Sequence, residues 1–109
     1  MEHYKVHLSR EAEADIRSAV RYVAVHLQEP STAEHMLDSF AEAIASLKTL
    51  PERFGLVADS DLAALGLRML TVGNYLISYV VNRGELRVDI PRVLYGKRNW
   101  IQLLKNDIE

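Results

Sequence analysis

The chain has no cysteine. That single absence removes disulfides, thiolate nucleophiles and cysteine-ligated zinc together, and it is what a reducing compartment permits. Proline is scarce, at positions 30, 51 and 91 only, so each one punctuates the chain. No apolar run is long enough to span a bilayer, and the opening MEHYKVHLSR lacks the hydrophobic core of a signal peptide. The expectation is a cytoplasmic protein with no membrane partner. Phosphate-loop, dinucleotide-loop and nucleophile-elbow motifs are all missing, which leaves nucleotide-binding and serine-hydrolase readings without support.

Metal binding is also disfavoured. The four histidines, His3, His7, His26 and His35, all fall in the first third. His3 and His7 lie on an expected strand, where their spacing separates them by about 13 Å. Neither a metal nor a cofactor is expected.

What is present suits one globular domain over residues 1–109, with 49% apolar and 26% charged residues. No repeat or low-complexity linker divides it. The net charge of −2 is unevenly spread. Met1 to Ala64 holds 6 Lys/Arg against 11 Asp/Glu, a balance of −5, and Leu65 to Glu109 holds 7 against 4, a balance of +3. A basic C-terminal part can meet phosphate or an acidic partner.

HYKVHL alternates apolar and polar residues and reads as a half-buried strand. Ser9 then caps a helix whose stripe is Ala12, Ile16, Ala19, Val20, Val23 and Leu27, ending before Pro30. Ser31 and Glu34 have the spacing of a capping box. They open a second helix that buries Ala33, Met36, Leu37, Phe40, Ala43, Ile44, Leu47 and Leu50 and stops at Pro51. The short link around Glu29–Ser31 predicts an antiparallel helical hairpin. ERFGLVADSDLAALG lacks periodicity and reads as a surface connection with a short strand or turn. Next come LRML, a turn at VGN, YLISYVV, a turn at NRG, and ELRVDIPRVLY as the last strand. Pro91 there implies an edge, bulge or bend. NWIQLLKND reads as a short helix that turns Trp100, Ile101 and Leu104 inward.

The order predicts an α+β domain: an N-terminal strand, an antiparallel helical hairpin packed on a mainly antiparallel four-stranded sheet, and a short C-terminal helix. Alternate residues of YLISYVV are apolar on both faces, so the sheet face away from the hairpin is expected to be an uncovered apolar binding surface.

Asp59 and Asp61 read as turn-forming or solvated carboxylates rather than an acid–base pair. The cations of the C-terminal part are the stronger candidates. Arg68 on the first strand of the C-terminal sheet, and Lys97 and Arg98 after the last one, are expected to gather with Arg87 or Arg92 into a patch for phosphate or carboxylate. Sheet register decides whether Arg68 joins it or forms a structural bridge with a carboxylate such as Asp89.

AEADIRSAVRYVAVHLQEPSTAEHMLDSFAEAIASLKTLPERFG, LRMLTVGNYLISYVV and RVLYGKRNW, in that order, resemble the RelE/ParE superfamily of toxins from bacterial type II toxin–antitoxin modules, from Tyr4 to about Leu104. The resemblance implies a growth inhibitor neutralised by a cognate antitoxin that lays an extended or helical segment over the toxin, with operator DNA contacted only through the antitoxin. It allows two activities. A RelE-like member is a ribosome-dependent messenger RNA endoribonuclease; Arg68 and Arg98 would then hold the scissile phosphate, and Tyr95 would be the nearest acid–base group. A ParE-like member poisons DNA gyrase with no catalytic residues of its own, and Arg68, Arg92, Lys97 and Arg98 would contact target or antitoxin. Against the ribonuclease, Asp59 and Asp61 stand where that branch carries lysines, and Leu103 and Leu104 where it has a tyrosine. The long helical hairpin resembles the ParE branch. A third reading is a module that binds antitoxin without toxicity.

Overall fold

The computed structural model describes residues 2–108, with side chains as far as Asn106. Strand β1 (Lys5–Leu8) leads into helix α1 (Arg10–Arg21), which continues as a π-helical turn over Tyr22–His26. Helix α2 (Pro30–Ser46) returns alongside α1. A 3₁₀ turn (Pro51–Arg53) and the short helix α3 (Ser60–Ala64) then lead to β2 (Leu67–Val72), β3 (Tyr75–Asn82), β4 (Arg87–Ile90), β5 (Val93–Tyr95) and helix α4 (Trp100–Ile108).

The strands form one sheet in the order β1-β4-β3-β2, with β5 also paired to β3. All pairings are antiparallel except β1 with β4. The last strand expected from sequence is therefore two strands, and the sheet has five rather than four. Residues 80–82 of β3 face β4 and residues 75–77 face β5. In between, Ser78 and Tyr79 stand opposite Ile90, Pro91 and Arg92, a β-bulge with one extra residue centred on the proline. Ser78 holds the bulge: its amide and hydroxyl both donate to the Arg92 carbonyl, at 3.1 and 2.8 Å.

Ser9 joins this bulge to α1. Its hydroxyl oxygen accepts from the Ala12 amide at 2.9 Å, capping the helix, and its hydroxyl donates to the Pro91 carbonyl at 2.7 Å. The small Ala12 and Ala19, both buried, let α1 lie close against the sheet. The main core forms where the helical hairpin covers one sheet face, and it includes Phe40, Leu47, Ile77, Tyr79 and Val88.

The hairpin departs from its expected stripe at both ends. The Leu27 amide bonds to the Tyr22 carbonyl, five residues back, at 3.1 Å. This wider turn rotates the following residues off the α1 stripe, so Leu27 is exposed. The capping box does not form. Pro30 occupies the first turn, Glu29 precedes it without a side-chain cap, and Ser31 and Glu34 are exposed. Leu37 is half exposed, and Leu50 lies beyond the end of α2 with φ 47°, facing solvent.

The opposite sheet face is not an uncovered apolar surface. Next to β2, β3 and β5 it is covered by α3 and α4, with Leu62, Leu67, Leu94 and Leu104 buried between them. The expected surface connection thus contains a helix. Asp59 caps it by accepting from the Leu62 amide at 3.1 Å, and Leu62 fills the second core. Toward β1 and β4 the same face turns polar, with Lys5, His7, Arg87 and Asp89 along paired positions. No helix among the described residues is long and apolar enough to cross a membrane.

Candidate functional site

The candidate cations are dispersed. Arg68 stands beside Tyr79 in the β2–β3 register, on the hairpin-facing side. Its guanidinium donates to the carbonyls of Phe54 (2.5 Å) and Glu52 (3.3 Å) and lies 3.4 Å from the Glu52 carboxylate. The structural bridge considered for Arg68 is therefore made with Glu52, while Asp89 is engaged by Arg87 at 3.0 Å. Beside Arg68, the Tyr79 hydroxyl donates to the Pro51 carbonyl at 2.7 Å, so two neighbouring strand residues hold the segment that follows α2. Glu52 also receives Arg83, and that hydrogen bond is the main reason its carboxyl is held below the usual value.

Arg92 is likewise engaged. It donates from Nε and Nη2 to Asp15 at 2.7 and 2.9 Å, and the Val93 amide donates to the same carboxylate at 2.9 Å. Arg87 lies at the far end of β4, between Asp89 and Glu85. Asp59 and Asp61 are paired with Lys105 of α4 at 3.2 and 3.3 Å. Bonding from the Leu62 amide and then from Lys105 lowers the Asp59 pKa, and the two carboxylates raise that of Lys105.

Lys97 and Arg98 remain. They are exposed and make no ion pair among the described residues. A tight turn sets them at the end of β5. The Gly96 amide bonds to the Asn74 carbonyl at 2.7 Å, and the Arg98 amide bonds back to Tyr95 at 3.0 Å. A Cβ on Gly96 would lie 3.1 Å from the Asn74 carbonyl oxygen, so this close approach favours glycine. Tyr75 pairs with Tyr95 and Arg68 with Tyr79, which separates Arg68 from this end by four residues of β3, about 13 Å.

Next to Arg98 lies a feature that sequence reading missed. The connecting end of the helical hairpin and the β2–β3 turn flank a cleft of 630 Å³ lined by Tyr22, Leu27, Met36, Phe40, Tyr75 and Tyr95, among others. A shallower lobe of 460 Å³ shares Tyr22, Tyr75 and Tyr95 and reaches Arg98 and Asp15. The rings lock one another edge to face, Phe40 with Tyr75 at 5.6 Å and Tyr75 with Tyr95 at 5.4 Å. Burial raises the Tyr75 pKa. Three of the chain's five tyrosines meet here, from positions 22, 75 and 95, and no local pattern in the sequence brings them together. A second apolar groove, lined by Leu8, Ile16, Val20 and Leu37 with Glu13, Arg17 and Arg21 at its side, runs along the hairpin.

The sequence model of the family described as the ParE toxin of type II toxin–antitoxin system, parDE, matches residues 6–100. Among solved structures, the fold is similar to a chain of the chromosomal ParDE toxin–antitoxin system from P. aeruginosa, with a TM-score of 0.69 and 20% identity over 86% of this chain and 97% of that one. It is also similar to a chain of the RelBE2 toxin–antitoxin complex from Mycobacterium tuberculosis, with a TM-score of 0.58 and 23% identity over 87% and 93% of the two chains. A chain of the archaeal RelE–RelB complex from Pyrococcus horikoshii OT3 gives a TM-score of 0.56 and 17% identity over 87% and 97%. No curated protein sequence matches significantly.

Proposed function

Because the chain belongs to the ParE toxin family of type II toxin–antitoxin systems, we propose that it arrests growth by direct contact with DNA gyrase and has no catalysis of its own. The observation that carries this reading is the engagement of Arg68. An arginine that holds a scissile phosphate must offer its guanidinium to solvent, and this one is occupied by two carbonyls and a carboxylate. Arg92, held by Asp15, is occupied in the same way. Proton carriers are also few near Arg98: no histidine lies in the C-terminal half, and the Tyr95 ring packs edge-on against Tyr75.

The partner is a cognate antitoxin in the cytoplasm, and operator DNA is reached through it. An acidic amphipathic segment suits the outer hairpin groove, where Leu8, Ile16, Val20 and Leu37 offer apolar contact and Arg17 and Arg21 outnumber the single carboxylate, Glu13.

The purified chain, added to gyrase, ATP and supercoiled DNA, should accumulate gyrase-linked broken DNA, and transcripts on translating ribosomes should stay intact. Ribosome-dependent transcript cleavage would assign the RelE-like activity instead. Neither effect, with normal growth on induction, would leave a module that only binds antitoxin.

A further inference from the structure

We propose that the tyrosine cleft is where this toxin grips its target protein, receiving one bulky apolar side chain from an acidic segment whose carboxylates lie over Lys97 and Arg98. The inference rests on the reading that the chain acts by contact with a protein.

The cleft has the size for such an anchor. Its 630 Å³ falls in the range of about 300–1,000 Å³ typical of sites that enclose a small ligand, and it admits one or two side chains rather than a helix. One wall is preorganised, because Tyr75 packs edge to face with both Phe40 and Tyr95. Tyr22 forms the opposite wall. It is 51% exposed and stacks on His26 at 5.3 Å within the π-helical turn. Val25 and Leu27, also exposed, bring three large apolar side chains to this end of the hairpin, a concentration characteristic of interaction surfaces.

Charge selects the occupant. The one carboxylate among the described residues lining the shallower lobe, Asp15, is already bonded to Arg92, so Arg98 lines that lobe without an ion pair among the described residues. Lys97 beside it is also without an ion pair among the described residues. A cation in the lobe beside an aromatic cleft, with the exposed Lys97 adjacent to it in the chain, matches a short acidic peptide. A nucleic acid strand demands a longer basic track than these two adjacent cations offer. The outer hairpin groove shares no lining residue with the cleft. Antitoxin and target thus have separate surfaces, and the two functions should separate by mutation.

The test compares Tyr22→Ala, Arg98→Glu and the groove variant Val20→Asp with the wild type. Growth arrest on induced expression, and antitoxin affinity by calorimetry on the purified chains, are measured together. Tyr22→Ala and Arg98→Glu should each weaken target-directed potency about thirtyfold, the scale of an interface hot spot, and keep antitoxin affinity within about threefold. Retained antitoxin binding also certifies the fold. Tyr22→Phe should behave as wild type, and Val20→Asp should lose antitoxin while staying toxic. Undiminished toxicity of both cleft variants would overturn the inference. So would loss of antitoxin binding in those variants, or a non-toxic wild type. Duplex DNA bound by the wild type alone, and lost in the cleft variants, would reassign the cleft to nucleic acid. If the cleft variants lose toxicity but the wild type does not bind purified gyrase, the gyrase reading fails and the cleft assignment stands.

Discussion

Arg92 and Asp15, 77 positions apart, meet through two hydrogen bonds of 2.7 and 2.9 Å, and the carboxylate also accepts the Val93 amide. This junction ties the middle of α1 to the start of β5. It fixes the strand that leads to Lys97 and Arg98, and it caps an outward-facing amide that would otherwise lie free on the strand edge. Both side chains are more than four-fifths buried.

Removing the carboxylate should therefore cost Arg92 two charge-assisted hydrogen bonds and leave the Val93 amide without the acceptor it has here. Asp15→Asn is expected to lower unfolding free energy by about 3 kcal/mol. Asp15→Leu combined with Arg92→Met should recover part of that loss, though the Val93 amide still lacks its acceptor. Urea denaturation of the singles and the double measures the coupling; additive losses would contradict the junction.

Arg68 should behave as a structural residue. Arg68→Gln cannot span to both the Phe54 and Glu52 carbonyls, and a loss of about 1–3 kcal/mol is expected. Its antitoxin affinity, measured by calorimetry at a temperature where the variant is folded, should match wild type. A stable variant with abolished toxicity would instead make Arg68 a contact residue.

The clasp between α3 and α4 should respond to pH. The folded-state pKa of Asp59 lies below its ordinary 3.8, so the unfolded chain takes up the proton first and stability falls with falling pH. The contribution is whole above the ordinary carboxylate range and vanishes as pH drops through the depressed folded value. For Lys105, raised above 10.5, the contribution is present below that value and is lost as pH rises through the folded one. Trp100, the only tryptophan, sits on α4 against the second core and reports the clasp by fluorescence. Lys105→Met should shrink the acid transition of that signal without abolishing it, because the Leu62 amide still holds the Asp59 carboxylate; an unchanged transition would show that the amide cap or other carboxylates govern it.

Gly96 sets the turn that presents the two cations. Gly96→Ala forces a methyl to within 3.1 Å of the Asn74 carbonyl oxygen and 3.7 Å of Leu76 Cγ. A loss of about 1–2 kcal/mol is expected, together with a shift of the β2–β3 turn. Thermal melts and the amide shifts of Gly73 and Asn74 measure both.

Much of the fold was legible locally because the clues were local. Ser9 followed by a 3.6-residue stripe specified α1, alternation specified β1, an aromatic and β-branched run specified β3, and Pro91, unable to donate to a ladder, specified an interruption that the structure realises as a bulge. What misled were residues whose surroundings are distant in sequence. The stripe through Leu27 extrapolates a regular helix, whereas the π turn widens it; Leu62 in an aperiodic segment becomes core only because α4 folds over it.

The candidate site divides the same way. The sequence by itself determined the RelE/ParE-like order of elements, the basic C-terminal part and the unusual pair Lys97–Arg98 after a glycine. Tertiary structure decided which cations stay available. Register carried Arg68 to Glu52 and the 51–54 carbonyls, α1 packing delivered Asp15 to Arg92, and the close of the hairpin over the β2–β3 turn assembled three tyrosines beside Arg98. A charge is engaged or available according to what lies within a few ångströms, and in this fold those neighbours are brought together by sheet register and helix packing across 16 to 77 residues of chain.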